Sequence, residues 1–163
     1  MKVLGIDPGS DRMGYAIIES EKGKQELTAV GCITTKRGTT DEDRLVELYN
    51  SLNKLLKQHS PDIAAIESLF FANNAKTIIQ VGQARGVILL ACAQSSIPVQ
   101  SYAPLEVKMA ITGYGKADKN QVQHMIQSIL KLKAIPKPDD AADAVAIALT
   151  HCFSHKIKGL RNT

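Results

Sequence analysis

The chain has 163 residues, 44% of them hydrophobic, which is the size and apolar content of one ordinary domain with a proper core. Its 20 basic and 16 acidic residues leave a net charge of +4, a balance that leans towards an anionic partner but that a merely basic domain also shows. No apolar run approaches the length of a membrane-spanning helix, and three widely spaced cysteines (Cys32, Cys92, Cys152) with no CxxC pair argue against a disulfide framework or a zinc centre and for small core residues in a reducing compartment.

The chain opens on a strand, residues 2–7, in which Val3-Leu4-Gly5-Ile6 are apolar or glycine, as suits a strand covered on both faces. It ends in a carboxylate, Asp7, and Pro8-Gly9 turns the chain away. Because the N-terminus is already a strand and carries no signal-peptide pattern, a cytoplasmic location is expected. Residues 13–19 form a second strand, Glu21-Lys22-Gly23-Lys24 a hairpin turn, and 27–35 a third strand, so the fold opens with an antiparallel meander. A helix over 41–58 follows. Leu45, Leu48, Tyr49, Leu52, Leu55 and Leu56 make its apolar stripe, Thr40 or Asp41 caps it, and Ser60-Pro61 stops it. The fourth strand, 63–67, ends in Glu67. Strand, helix, strand is a crossover to a parallel partner, so the first and fourth strands can lie side by side with Asp7 and Glu67 at one edge.

A loop with Phe70 and Phe71 leads into a long helix, 74–95, with Gly82 and Gly86 one turn apart. Each glycine costs about 1 kcal/mol against alanine inside a helix. The pair therefore points to a close backbone approach, to the sheet or to a second copy of the chain. A fifth strand, 97–101, a short helix, 104–112, and a flexible basic loop, 113–117, come next. Asp118 and Gln121 form a capping-box pattern for a further helix. After Pro136-Lys137-Pro138 a last helix spans 139–154. The chain is expected to be α/β with a mixed five-stranded sheet flanked by helices. It forms a single domain over 1–155, with a short basic tail, 156–163, expected to fray; no repeat or linker divides it.

Asp139, Asp140 and Asp143 open that last helix. Asp140 and Asp143, three apart, share a face. Asp139 follows Pro138 and suits simple capping, whereas Asp143 lies among alanines, where an unpaired charge is costly. If these acids meet Asp7 and Glu67, they repel one another, and divalent cations offset the repulsion. Mg²⁺ takes hard oxygen ligands and keeps substrate phosphate in its shell. Two such ions about 4 Å apart can activate a water and stabilise the leaving oxygen of a phosphodiester. The histidines, His59, His124, His151 and His155, are dispersed, and His151 reads as structural or surface-exposed.

GIDPGS with Asp7, Gly14-Tyr15, AIES with Glu67, GQARG at 82–86, KNQVQHM at 119–125 and DDAADAVAIALTH at 139–151, in this order over nearly the whole chain, resemble the RuvC family of Holliday-junction resolvases. The resemblance implies an RNase H-like fold and a homodimer. It implies a Mg²⁺-dependent endonuclease, with Mn²⁺ as a substitute, that makes paired symmetric nicks in a four-way DNA junction during recombination and repair. It also implies branch-migration motor proteins as partners. Carried over, Asp7, Glu67, Asp140 and Asp143 are the catalytic, metal-binding acids, Asp140 rather than Asp139 because it keeps the D-x-x-D spacing. Phe70 is expected to stack on a base near the junction centre, with a core plug as the alternative. Lys108 and Lys119, flanking the glycine-rich loop, match positions the family uses near the scissile phosphate. Lys76, Arg85 and Lys116 are weaker candidates for DNA contact. The rival readings are an actin-like phosphotransferase, for which 163 residues leave little room, a non-catalytic junction-binding protein, and an RNase H-like nuclease acting on RNA or other branched DNA.

Overall fold

The computed structural model describes residues 1–9, 11–36, 38–68 and 75–161, the side chains of 75, 76 and 156–161 excepted. The elements run β1 (Lys2–Asp7), β2 (Arg12–Glu21), β3 (Lys24–Thr34), α1 (Asp41–His59), β4 (Ile63–Glu67), α2 (Ala75–Gln94), β5 (Val99–Tyr102), α3 (Pro104–Thr112), α4 (Lys119–Leu130) and α5 (Asp139–Arg161). The five strands form one sheet in the order β3-β2-β1-β4-β5, antiparallel on the β3-β2-β1 side and parallel from β1 through β4 to β5. The expected mixed five-stranded sheet and the β1–β4 parallel pair are both present.

Local chemistry sets the element ends. The β2–β3 turn tightens to Lys22-Gly23, both with positive φ (48° and 84°), the backbone of a two-residue hairpin whose twist matches the strands. Thr40 caps α1 by accepting from the Asp43 N–H at 3.3 Å. Asp118 and Gln121 make a reciprocal capping box at α4, 2.8 and 2.9 Å. Two ends differ from expectation. β5 starts two residues later and includes Tyr102, because Ile97 N–H still bonds back to Cys92 at the end of α2. α5 runs on to Arg161, through residues expected to fray.

Side-chain alternation divides the core between two layers. Leu4, Ile6, Met13, Ile17, Ala64 and Ile66 pack with α1 and α2 on one face. Val3, Ala16, Ile18, Ala65 and Tyr102 pack with α3, α4 and α5 on the other. With a period of two, Asp7 follows Val3 and Gly5 on the α5 side, and Glu67 follows Ala65 there. α5 lies directly on the sheet where Gly5 and Gly14 offer no side chains beneath it. A Cβ on Gly5 would fall 2.8 Å from the Ala148 Cβ and collide with the Ala144 carbonyl; one on Gly14 would collide with the Asp140 carbonyl. The facing residues of α5 are alanines (Ala141, Ala144, Ala148), all fully buried. Cys92 and Cys152 are buried core thiols, both pushed up to about 11 by that burial, and Cys32 is partly buried, as the cysteine spacing led one to expect. His151 is buried, its Nδ1 2.8 Å from the Tyr102 hydroxyl, a structural histidine.

Candidate active site

Three elements deliver the acids. Asp7 ends β1 and Glu67 ends β4, next to each other at the same sheet edge because Ile6 pairs with Ile66 in a parallel ladder. Asp140 and Asp143 come from the first turns of α5, which glycine-on-alanine packing presses onto β1 and β2. The acids are close enough to act on each other strongly. Burial pushes the Asp7 carboxyl up to about 8, reinforced by the negative charges of Glu67, Asp143 and Asp140 and opposed by Lys119. Glu67 is raised by burial and then by Asp143. Asp143 is likewise raised by burial, against the opposing hydrogen bond and charge of Lys119. A cluster in which three carboxylates hold protons above their ordinary range is short of positive charge.

Two cations stand in this cluster. Lys119 Nζ, at the start of α4, lies 3.0 Å from Asp143 and 3.4 Å from Asp139. Arg12, at the start of β2, donates to Asp140 at 3.2 Å. Among the described residues no three acid, histidine or cysteine side chains converge closely enough to enclose an ion as they stand. The basic groups on Asp140 and Asp143 hold these two carboxylates in ion pairs. Asp139 points elsewhere. Its carboxylate accepts from Gln123 at 3.2 Å and pairs with Lys119 and Lys137, and these partners, Gln123 foremost, hold it below its usual range. It ties α4 to α5.

A cleft of about 200 Å³ opens beside the acids. Glu67 and Asp143 line it together with Lys108 and Lys119, against an apolar wall of Val107, Val122 and Ile147. Both lysines expected near the scissile phosphate therefore share one cleft with two of the acids. Lys116 is exposed on the turn before α4. Arg85, expected among the DNA contacts, instead turns its guanidinium inward, donating to the Glu67 carbonyl and to Ser101 Oγ, each at 2.8 Å. Phe70 and Phe71, and the side chain of Lys76, lie outside the described residues. Sequence reasoning missed Arg12. Its only signal was a basic residue five positions after a strand-end acid, which is too common to single out.

Comparison with known proteins gives a consistent picture. Residues 3–151 match the family profile described as crossover junction endodeoxyribonuclease RuvC. A crossover junction endodeoxyribonuclease RuvC of Fusobacterium nucleatum subsp. nucleatum is 52% identical over 154 residues, covering 94% of this chain and 81% of that protein. One from Chloroflexus aurantiacus is 51% identical, covering 94% of each. Among solved structures, T. thermophilus RuvC in complex with a Holliday junction substrate superposes with a TM-score of 0.92 at 33% identity, over 97% of this chain and 96% of that one.

Proposed function

Because the chain belongs to the RuvC family of crossover junction endodeoxyribonucleases and has its RNase H-like fold, we propose that it resolves four-way (Holliday) DNA junctions by paired symmetric nicks, through metal-assisted phosphodiester hydrolysis. The observation that supports the mechanism is the closeness of Glu67, Asp143 and Asp140 to buried Asp7, whose carboxyl is pushed up to about 8 by burial and by their charges. Hard carboxylate oxygens that lack counter-charge suit a divalent cation, and the four acids are the residues that would hold it. When bound, Mg²⁺, with two ions per site and Mn²⁺ as a substitute, supplies the charge that activates a water and stabilises the leaving oxygen.

The chain's own groups do the rest. Asp7 must give up its proton before it can act as an anionic ligand, so proton and cation compete for it. Lys119 and Arg12 hold Asp143 and Asp140 in the metal-free protein. With cations held by those acids, Lys119 would be free to meet a substrate phosphate in the cleft that Lys108 also lines. Lys116 and Lys76 add to the basic approach to the backbone, and Phe70 stacks on an unpaired base at the junction centre.

Two equivalent strands must be cut, and a two-fold dimer supplies two identical sites. The face offered for that dimer is on α2. Ile79 and Leu90 are 60% and 52% exposed, and Gly86, between them on the helix, would meet no atom within 4 Å if it carried a Cβ. That close approach, open within the chain, is free for a second copy. Branch-migration motor proteins are the further partners, and the cytoplasm the place of action.

The test is cleavage of a synthetic mobile four-way junction, with Mg²⁺ or EDTA, beside linear duplex. Mg²⁺-dependent symmetric nicks in the junction alone are expected. Binding without cutting would favour a structural role, and equal cutting of linear duplex would put the substrate elsewhere.

A further inference from the structure

We propose that Arg85 is a positioning residue for Glu67, acting on its backbone from the opposite face of the sheet. The inference rests on the reading of Glu67 as a metal-holding acid. Glu67 is the last residue of β4. Its side chain follows Ala65 towards α5, while its carbonyl is gripped from the other layer by α2. Arg85 donates through one terminal nitrogen to the Glu67 carbonyl and through the other to Ser101 Oγ, both at 2.8 Å. Ser101 lies on β5, two residues after Val99 in the α2 layer, and its Cα pairs with Ile66. One planar guanidinium therefore bridges two parallel strands at their C-terminal ends.

The strand ladder reaches its last rung here, with Glu67 paired to Tyr102. The Ser68 N–H bonds to the Tyr102 carbonyl at 2.8 Å, and there the chain leaves the sheet. A carboxylate at the last position of a strand inherits every tilt of that peptide. Arginine suits the task because it stays charged and its rigid fork fixes two acceptors at a set spacing, whereas lysine's ammonium is a point charge on a flexible stem that imposes no such spacing. Arg85 grips the Glu67 carbonyl from the α2 side, while the Glu67 side chain lies on the α5 side of the sheet, so Arg85 acts on Glu67 through its backbone. Groups that orient metal-holding residues typically matter by 10–100-fold in metal affinity or activity.

The experiment compares wild type with Arg85→Lys, Arg85→Ala and Ser101→Ala as full chains. Three quantities are read: Mn²⁺ affinity by calorimetry without DNA, junction binding by anisotropy in EDTA, and the Mg²⁺ dependence of single-turnover cleavage at saturating enzyme. Arg85→Ala is expected to weaken Mn²⁺ binding and slow saturated cleavage by roughly tenfold or more, with junction binding unchanged within about twofold. Arg85→Lys and Ser101→Ala, each keeping one arm, fall between it and wild type. If Arg85→Ala does not fold, these two decide the matter. Lost junction binding with unchanged metal affinity and unchanged saturated cleavage would make Arg85 a DNA contact and overturn the proposal. So would unchanged metal affinity and cleavage across the set. Calorimetry needs no cutting, so a wild type that binds Mn²⁺ but leaves junctions intact would refute the nuclease reading while still deciding the role of Arg85.

Discussion

Asp7 is the residue on which charge, burial and chemistry meet. Its carboxyl is raised from an ordinary 3.8 to about 8 in the folded chain. The native state therefore binds a proton that the unfolded chain releases, across the window from about pH 4 to pH 8. Stability of the metal-free protein falls as pH rises through that window and is level above it. Asp7→Asn removes the penalty. In EDTA at pH 8 it is expected to melt higher than wild type, with the difference vanishing towards pH 4. The same variant should bind the junction like wild type and not cut it; nicking at the wild-type rate would remove Asp7 from the site. Proton and metal compete for one carboxylate, so the Mg²⁺ concentration for half-maximal cleavage should fall from pH 6 to pH 8.5. A midpoint independent of pH would contradict the burial of Asp7.

The helix α5 places half of the acids, and it does so through small residues. Gly5 and Gly14 leave the sheet bare where Ala144, Ala148 and the Asp140 backbone come down on it. Gly14→Ala puts a methyl group against the Asp140 carbonyl, a backbone atom that cannot swing aside. Overpacking of this kind costs about 1–3 kcal/mol. Thermal melts should register it, and cleavage should fall further than stability does, because the shift is centred on one of the acids proposed to hold the metal. Unchanged cleavage would mean that α5 tolerates the displacement. Most of this element's placement was legible in the sequence, and part was not. The D-x-x-D spacing and the alanine run gave its buried face, since helix periodicity is local. Strand ends at Asp7 and Glu67 were legible because apolar runs stop at acids there. The roles of Gly5 and Gly14 were not, because a glycine in a strand says that something comes close without saying what. Arg12 on Asp140 and Arg85 on the Glu67 carbonyl were illegible for a related reason. Each joins residues far apart in sequence, and a basic side chain on a helix or strand edge carries no mark of its partner.

For the whole molecule, the two layers divide the work. The α3–α4–α5 side carries the cleft with Lys108 and Lys119, and the α1–α2 side carries the exposed stripe of Ile79, Gly86 and Leu90. Leu90→Glu should turn a dimer into a monomer in light scattering and abolish paired nicking, while the monomer keeps its melting temperature, since the residue is already half exposed. A monomeric wild type at cleavage-competent concentrations would refute the dimer. Junction binding should weaken steeply with salt, as phosphate contacts release counterions, and Lys119→Ala should lower the slope by roughly one phosphate's worth. A flat profile would sink the basic approach to DNA.

The acids proposed for the cutting centre are far apart along the chain, Asp7 on β1 and Asp140 and Asp143 on α5. A chain shortened before α5 would keep Asp7 on β1 and Glu67 on β4 but lack Asp140 and Asp143, half of the proposed centre. Such a product is expected to cut no junction, and the order of the elements alone would keep a partial chain from acting as a nuclease.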